Sequence, residues 1–419
     1  MNNLAIIILA AGKSTRMKSA MPKALHPICN RPMLGYVLDL VKALQAKKVV
    51  YVLGYKQEEA RKLLPPGAEI VTQKELSGTA SAVQCASSKL KNFKGTILVL
   101  YVDNPLLKQE TIKKLIKRHL DSNADATLLT ANVEKPAGYG RILRDEYSSI
   151  CAIIEDKDAD EFQKDIKEIN TGIVCFKSDK LFSSLKQVRP NNRKKEYYLT
   201  DTIGIIYKKG GLIENAKIDD VNEALGINSR IDLARANKIK QREINESLMK
   251  DGITIVDPDT TFISFGTKIG PDTVIYPFTV IEKNVKIGKR CSIGPFAHLR
   301  EGTRVDDDVL VGNFLEIVRS HLGAKTLLKH FGYIGDSQIG KFVNIGAGTV
   351  TANFDGSSKA VTTVKDHAFI GSDTILVAPV KIGRRAKTGA GSVVVKNMDV
   401  ADNTVVAGVP ARQLKIKTR

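Results

Sequence analysis

The sequence predicts two successive folds: an α/β domain with a Rossmann-like, mostly parallel sheet, and then a parallel β-helix of hexapeptide repeats. Three observations support this prediction. The chain has 419 residues, which is too long for one ordinary hydrophobic core. Strand and helix patterns alternate over residues 1–228, as in parallel sheets covered by helices. After Gly252, pairs of an aliphatic residue and a glycine recur, several of them at steps of six residues or a multiple of six.

The chain opens with a buried strand and a turn suited to a phosphate. Leu4–Leu9 is an unbroken apolar run, which is typical of a central parallel strand buried on both faces. The small residues at positions 10–12 follow it and let backbone amides approach a ligand closely. Three basic residues come next, so the turn is predicted to bind phosphate: Lys13, Arg16 and Lys23.

Two common phosphate motifs do not match this turn. A Walker A loop needs a glycine where this chain has Ile7. The GxGxxG fingerprint of dinucleotide-binding folds is absent from the sequence. From these residues alone, a basic turn without any ligand remains the alternative interpretation.

The next elements continue the alternation. A helix, a strand, a helix and a strand are predicted in turn at 33–46, 49–53, 79–90 and 96–102. In sheets of this kind ligands bind at the carboxyl ends of the strands. The turn after the first strand and Asp103 would both lie at that edge.

A charged helix is predicted to link this domain, residues 1–228, to the second one. Residues 229–251 are polar and highly charged, with apolar residues at rough helical spacing. Residues 252–419 then form the β-helix domain, in which one aliphatic residue of each hexapeptide points inward. The step from position 345 to 370 is 25 residues, one out of register, so a loop is predicted near 353–359.

Composition restricts the classes of function. The five cysteines lack CxxC spacing and suggest neither a zinc site nor disulfides, which fits a reducing cytoplasm. No apolar run approaches the roughly 18 to 20 residues of a membrane span, and the apolar N-terminus lacks the basic flank of a signal peptide. The net charge of +19 suits phosphorylated substrates, and because the basic residues are spread along the chain, nucleic acid is not an expected partner.

Seven further segments, taken in order with the N-terminal turn, resemble one enzyme family. They are QKELSGTASA at 73–82, LYVDNP at 100–105, GYGRI at 138–142, IEDKDA at 154–159, EINTG at 168–172, EYYLTD at 196–201 and LGINSR at 225–230. The chain is similar to the bacterial bifunctional UDP-N-acetylglucosamine pyrophosphorylases / glucosamine-1-phosphate N-acetyltransferases. The resemblance implies an α/β nucleotidyltransferase domain, a left-handed parallel β-helix and a homotrimer with sites between subunits.

For the first domain, the resemblance implies that N-acetylglucosamine 1-phosphate attacks UTP and that pyrophosphate leaves. Asp103 and Asn228 would hold Mg²⁺, since their oxygen atoms suit a hard cation. Arg16 and Lys23 would act as catalytic residues that neutralise the triphosphate. The nucleotide and sugar phosphate would also contact Leu9, Ala10, Ala11, Gly12, Gln73, Gly78, Thr79, Gly140, Glu155, Asn170 and Thr171, with Gln73, Gly78 and Thr79 on the uracil side.

The second domain resembles the acetyltransferase half of the same family, beginning with GPFAHLREG at 294–302. Transfer of an acetyl group from acetyl-CoA to an amine needs a general base, and His330 occupies the matching position. A surface histidine without a role is the alternative. Glu316 would orient the base. The acceptor and acetyl-CoA would contact Arg300, Tyr333, Asn344, Ala347, Asn353, Ser372 and Ala390.

Two departures from the family affect this second site. The family has a lysine for the acceptor phosphate two residues after the matched glutamate, whereas this chain has Val318 followed by Arg319. Phe354 replaces a tyrosine. The alternative function is therefore uridylyl transfer alone, with the β-helix a trimerising scaffold or an enzyme for another acceptor. A pyrophosphorylase for another sugar or nucleotide is the second alternative.

Overall fold

Both predicted folds are present in the structure, a computed structural model that describes residues 3–12, 15–54 and 56–414. The chain divides into two compact units between Asn237 and Lys238, which both lie in one helix, Arg230–Lys250. In the part of the chain that the structure describes, no helix has both the length and the apolar character needed to cross a bilayer.

The first unit is built on a mixed, mostly parallel sheet. Its strands are β1 Leu4–Ala10, β2 Pro27–Ile28, β3 Arg31–Pro32, β4 Lys48–Leu53, β5 Glu69–Thr72, β6 Thr96–Tyr101, β7 Ala126–Asn132, β8 Gly140–Arg144, β9 Ile150–Ile154, β10 Glu168–Lys177 and β11 Ile213–Lys217. The main sheet has the order β11-β7-β10-β6-β1-β4-β5. Strand β10 is antiparallel to β6 and β7, and the β8–β9 hairpin attaches to β10. The small β2–β3 ribbon is separate.

The helices agree with the predicted alternation but differ in detail. They are α1 Met33–Leu44, α2 Gln57–Arg61, α3 Thr79–Cys85, α4 Ser87–Leu90, α5 Gln109–Asp121, α6 Glu161–Lys164, α7 Ser178–Leu185, α8 Asp201–Lys208 and α9 Arg230–Lys250. The helix expected at 79–90 is two short helices, α3 and α4, that meet at Ala86. Helix α1 ends two residues early because Gln45 adopts a left-handed conformation, which the helix cannot continue through.

Strand β1 is buried on both faces, as its apolar run predicts. Its alternate side chains enter two different hydrophobic clusters, because neighbouring residues of a strand point to opposite sides of the sheet. Ala5, Ile7 and Leu9 pack on one side. Leu4, Ile6 and Ile8 pack on the other. Strands β4 and β6 flank β1 in parallel, so the turn after β1 and the end of β6 lie at one edge.

The second unit is a parallel β-helix with three faces. The first face contains Thr254–Ile255, Val274–Ile275, Ser292–Ile293, Leu310–Val311, Leu327–Leu328, Asn344–Ile345, Phe369–Ile370, Lys387–Thr388, Val405–Ala407 and Arg412–Gln413. The second face contains Phe262–Ile263, Val280–Ile281, His298–Leu299, Leu315–Val318, Gly332–Gly335, Val350–Ala352, Ile375–Val377 and Val393–Val394. The third face contains Lys268–Ile269, Lys286–Ile287, Arg304–Val305, His321–Leu322, Ser337–Ile339, Thr362–Val364 and Val380–Ile382.

The aliphatic residue of each repeat forms the β-helix core, and successive coils stack these residues in register. Ile275, Ile293 and Val311 are consecutive partners on the first face and are buried. Strands of one face lie about 4.8 Å apart in such a stack. The predicted loop is confirmed, since no strand is assigned between 352 and 362.

The glycine of an aliphatic–glycine pair is required where the next coil leaves no space for a side chain. A Cβ atom on Gly312 would lie 2.0 Å from the Lys329 carbonyl oxygen, and one on Gly371 would lie 2.6 Å from that of Thr388. The glycine period in the sequence therefore reports the close stacking of backbones in successive coils.

Candidate active sites

A cavity of about 310 Å³ in the first unit gathers side chains from distant parts of the chain. It lies at the edge where β6 ends, as the parallel topology predicts. Eight predicted site residues line it: Arg16, Thr79, Asp103, Gly140, Glu155, Asn170, Thr171 and Asn228. The sequence analysis assigned no role to other lining residues, among them Tyr101, Tyr139, Thr200 and Asp232.

At this cavity, the positively charged side chain of Lys23 lies between two side chains that carry oxygen atoms. The Lys23 ammonium group contacts Asp103 Oδ2 and lies 2.8 Å from Asn228 Oδ1. The side chains of Lys23 and Asp103 are only 14% and 20% exposed, so their attraction is weakly screened. Arg16 Nη2 also donates to Asn228 Oδ1, at 2.8 Å.

Backbone and side-chain hydrogen bonds fix the positions of Asp103 and Asn228. The Ile227 amide donates to the Asp103 carbonyl oxygen at 2.9 Å, which joins the two loops. Asn228 Nδ2 donates to the Gly226 carbonyl oxygen at 3.3 Å, so Oδ1 faces the cations. The backbone amide of Asn228 donates to Asp232 Oδ2 at 3.1 Å.

The side-chain oxygen atoms Asp103 Oδ2 and Asn228 Oδ1 fit a divalent cation such as Mg²⁺. Carboxylate and amide oxygens are the donors that Mg²⁺ prefers, and the ion commonly takes only one or two ligands from protein. In the structure, the Lys23 ammonium group lies between these two oxygen atoms and supplies a positive charge there. Within residues 3–12, 15–54 and 56–414, no group of three His, Cys, Asp or Glu side chains is placed to hold a metal.

Glu155 adds a carboxyl group to the lining of this cavity. Glu155 Oε1 accepts a hydrogen bond from Thr200 Oγ1 at 3.1 Å, and burial raises the pKa of the Glu155 carboxyl. Burial, together with the charges of Glu155 and Asp158, raises the pKa of Asp201 to about 6. Burial also raises the pKa of the Tyr101 hydroxyl. The Glu155 carboxyl is an acceptor that the cavity offers to sugar hydroxyl groups, and Asp201 follows the lining residue Thr200.

The residues predicted to contact uracil fall into two groups. Thr79 lines the cavity. Gln73 and Gly78 are not part of the described lining, and Gln73 Nε2 donates to the Gly78 carbonyl oxygen at 3.1 Å and to Ser81 Oγ at 2.8 Å. The amide of Gln73 therefore holds its own loop.

The predicted phosphate turn lies beside the cavity. Leu9 pairs with Tyr101, a lining residue, and Ala10, Ala11 and Gly12 follow it. Among the described residues other than its chain neighbours, none places an atom within 4 Å of the position that a Gly12 Cβ would take, so this backbone is open to a ligand. Lys13, part of the same prediction, lies outside the described residues.

In the β-helix, four predicted residues form one column along the corner between the first and second faces. Four residues of the first face are in-register partners in successive coils: Leu327, Asn344, Phe369 and Lys387. Each predicted residue of the column follows one of these partners by three positions. The column itself is His330, Ala347, Ser372 and Ala390. His330 is exposed at this corner. Asn344 is on the first face, in the same coil as Ala347.

The other predicted acetyltransferase residues lie on or beside the second face. Arg300 Nη1 donates to Glu316 Oε1 at 2.7 Å. Glu316 and Tyr333 are register partners in successive coils. A Cβ atom on Gly335 would lie 2.4 Å from Tyr333 Oη and 2.8 Å from Asn353 Nδ2, so these two polar groups converge above Gly335.

The position of the family's lysine carries no cation, and the arginine that follows it is ion-paired. Val318 follows the inward-facing Ile317 and is only 3% exposed. Arg319 forms a bidentate ion pair with Asp336, with distances of 2.6 and 2.7 Å. Asn353 Nδ2 also donates to Asp336. Arg319 is therefore engaged in a structural pair.

Comparison with known proteins agrees with this architecture. Residues 6–193 match the MobA-like NTP transferase domain, residues 266–301 the bacterial transferase hexapeptide (six repeats), and residues 361–396 the hexapeptide repeat of succinyl-transferase. An NTP transferase domain followed by hexapeptide transferase repeats defines a two-domain transferase.

Similar proteins extend over the whole of this arrangement. The "Bifunctional protein GlmU" of Thermosipho africanus is 44% identical, over 98% of this chain and 96% of its own length. Those of Shouchella clausii and Thermosipho melanesiensis are 41% and 43% identical, each over 98% of this chain and 95% of its own length. The chain belongs to the family of the bifunctional protein GlmU. It is a bifunctional uridylyltransferase and acetyltransferase, which favours the main prediction over a non-catalytic β-helix.

Proposed function

We propose that the cavity of the first unit joins UTP to N-acetylglucosamine 1-phosphate. A phosphate oxygen of the sugar attacks the α-phosphorus of UTP, the bond to the β-phosphate bridge breaks, and pyrophosphate leaves. The observation that carries this proposal is the oxygen pair of Asp103 and Asn228, with Lys23 and Arg16 beside it. Such a reaction brings anions together, so it needs fixed cations more than a nucleophile of the protein.

Each group at the oxygen pair has a distinct role in this proposal. Asp103 and Asn228 hold Mg²⁺, which when bound neutralises phosphate charge and polarises the phosphoryl oxygens. Lys23 and Arg16 bind the triphosphate and stabilise the charge that moves onto the leaving pyrophosphate. Lys23 contacts both of the proposed metal ligands.

The remaining lining residues orient the two substrates. Glu155 and Asn170 bind hydroxyl and N-acetyl groups of the sugar, and the Gly140 backbone lies against them. The Gln73 loop, with Gly78 and Thr79, holds the uracil. Leu9, Ala10, Ala11 and Gly12 supply the backbone beside the phosphates.

The β-helix acetylates glucosamine 1-phosphate in the same proposal. His330 accepts the proton of the substrate amine, the amine nitrogen attacks the thioester carbonyl, and the C–S bond breaks to release the thiol of CoA. Ala347, Ser372 and Ala390 continue the His330 column along the corner and flank acetyl-CoA. Arg300 binds the acceptor phosphate, and Tyr333, Asn344 and Asn353 contact its sugar.

We further propose that the protein acts as a cytoplasmic homotrimer. On the first face, Leu310 and Leu327 precede the inward-facing Val311 and Leu328, so their own side chains point out of the coil. An apolar row on the outside of a β-helix suits contact with another copy of the chain. Sedimentation of the full-length chain would test this, and a monomer at micromolar concentration would contradict it.

Two product assays on one preparation test the proposed reactions. Pyrophosphate release requires UTP with N-acetylglucosamine 1-phosphate, and thiol release requires acetyl-CoA with glucosamine 1-phosphate. His330→Ala should abolish thiol release and leave pyrophosphate release unchanged. His367→Ala, an exposed histidine of the same β-helix, should change neither. Equal thiol release from the unmodified protein and His330→Ala would contradict the assignment of the base.

A further inference from the structure

A row of four charged or titratable side chains crosses three coils on the second face. His298 and Arg300 belong to one coil and flank the inward-facing Leu299, so both point outward. Glu282 lies in the coil before them, and Glu316 lies in the coil after them. Of these residues, the predictions from sequence assigned roles only to Arg300 and Glu316.

Glu282 holds both basic residues of the row. Its Oε1 atom is 3.0 Å from His298 Nε2 and 4.0 Å from Arg300 Nε. Its Oε2 atom accepts a hydrogen bond from the Glu301 amide at 3.0 Å, which fixes the carboxylate. The imidazole therefore donates Nε2–H to Glu282 and keeps Nδ1 for another partner.

Arg300 is held at its other end by Glu316, which leaves part of its guanidinium group available. Only Nη1 donates to Glu316, at 2.7 Å, while Nε faces Glu282. The Arg300 side chain is 44% exposed, and that of His298 is 42% exposed. Both can therefore meet a ligand on this face.

The nearby basic residue that could compete for a ligand is already engaged. Arg319 uses one edge of its guanidinium group, Nε and Nη2, to bind Asp336, and Val318 is apolar and buried. His298 and Arg300 are therefore the basic residues of the row that a phosphate on this face can contact.

We propose that His298 and Arg300 together bind the phosphate of the acetyl acceptor, and that Glu282 positions them. This inference rests on the proposed acetyl transfer. His298 binds as an imidazolium, donating Nε2–H to Glu282 and Nδ1–H to the phosphate, while Arg300 donates from its free edge. Glu316 and Tyr333 continue the row toward the acceptor sugar. His298 replaces the charge that Val318 does not supply.

The charge of residue 298 is tested by comparing two acceptors, glucosamine 1-phosphate and glucosamine, which lacks the phosphate. His298→Gln removes the charge and should raise KM for glucosamine 1-phosphate about tenfold, a loss of about 1.4 kcal/mol. It should leave kcat within twofold and KM for glucosamine unchanged. His298→Arg restores a positive charge and should return KM to within about threefold of the original value.

The chain contains a matched control. His321 lies on the third face with its Nε2 atom 3.0 Å from Asp306 Oδ2, a histidine–carboxylate ion pair away from the row in which Nε2 makes no hydrogen bond within the described residues. His321→Gln should change neither KM. Glu282→Gln should raise KM for glucosamine 1-phosphate by about threefold to tenfold without changing kcat, because His298 and Arg300 are then no longer held in place.

The outcomes separate this inference from the proposed reaction. An unmodified protein that makes no N-acetylglucosamine 1-phosphate would overturn the acetyl transfer itself. An active protein in which His298→Gln changes neither KM, or raises both equally, would overturn the role of His298 alone. Addition of inorganic phosphate to the protein, followed by NMR of the His298 ring, tests binding without turnover. An unchanged His298 signal would count against binding.

Discussion

The cavity of the first unit and the second face of the β-helix place their functional side chains in different ways. In the cavity, Lys23, Asp103 and Asn228 come from three distant segments and meet because strand ends converge at one edge of the sheet. On the β-helix, the residues of a row stand in successive coils at a fixed register. The first site depends on long-range convergence, and the second depends on a repeat.

This difference teaches where each site is sensitive to change. Residues that converge share partners, so substitution of one alters the charges and geometry of the others. Residues on a repetitive face have local neighbours in the coils above and below, so a change is felt there and little beyond. Four predictions test this contrast, in order of decreasing effect.

The largest effect is expected from Asp103→Ala. It removes the carboxylate of the oxygen pair and leaves Lys23 with only Asn228, so uridylyl transfer should fall at least about a thousandfold. Thiol release should stay within twofold of the original rate. Pyrophosphate and thiol assays on the same preparation check this, with Asp219→Ala, an exposed aspartate of the same unit, as the control. A parallel loss of both activities would show that the two regions do not work independently.

Gly312→Ala tests the repeat itself. The added Cβ would lie 2.0 Å from the Lys329 carbonyl oxygen, so adjacent coils must separate. The free energy of unfolding should fall by about 2–3 kcal/mol, and thiol release should fall because His330 follows Lys329. Denaturant unfolding measures the first effect. Gly204→Ala in helix α8, where the nearest atoms are 3.8 Å away, should instead be neutral or stabilising by up to about 1 kcal/mol. Equal stability of the two variants would contradict the close-stacking explanation.

Asp201→Asn tests the electrostatic cost of a carboxyl group next to the convergent site. Burial and neighbouring carboxylates raise the pKa of Asp201 to about 6 in the folded protein. The proton is therefore bound more tightly when folded, and stability is lost as the pH rises through about 6. At pH 7.5 the asparagine should stabilise the protein by about 1 kcal/mol, less than full linkage because the carboxyl is partly solvated.

Thermal unfolding at two pH values measures this effect. The gain of Asp201→Asn should disappear below about pH 4, where the aspartate is protonated in both the folded and the unfolded chain. Asp219→Asn should show little pH dependence, since this side chain is 80% exposed. A gain that persists at low pH would point to packing and not to charge.

The smallest effect is expected from Phe296→Leu. The Phe296 ring stacks between Phe278 and Phe314 in adjacent coils, with centroid distances of 4.9 and 5.1 Å. Leucine keeps part of the buried area, so the loss of unfolding free energy should be about 0.5 kcal/mol, the lower end of the range for an aromatic pair. Phe162→Leu, at a side chain that is 89% exposed, should have no measurable effect. Identical unfolding curves for both variants would show that the corner stack does not contribute.

The sequence predicted which helices and strands are present better than it predicted the residues at which they end. The apolar run of β1 and the hexapeptide period are local signals, so the central strand and the β-helix followed from them directly. The break at Ala86 between α3 and α4 has no such signal, since Thr79–Leu90 contains no proline or glycine. Tertiary contacts decide such boundaries.

The candidate sites show the same division. Order and spacing of the family segments identified eight of the residues that line the cavity, but gave no role to Tyr139 or Thr200. Thr200 lies within the EYYLTD segment, so the signal was present although its partner Glu155 was not visible. The Gln73 amide was expected to face the nucleotide, and this contact stays a prediction; its Nε2 atom donates to the Gly78 carbonyl oxygen.

The sequence by itself determined the two folds, the register of the coils and the identity of the family, because these depend on periodic or ordered residue types. Only the tertiary structure decided that Lys23 lies between Asp103 and Asn228, that Arg319 is paired with Asp336, and that Glu282 joins His298 to Arg300. The physical reason is that a charged side chain selects its partner by distance in space, and no local pattern in the chain specifies that distance.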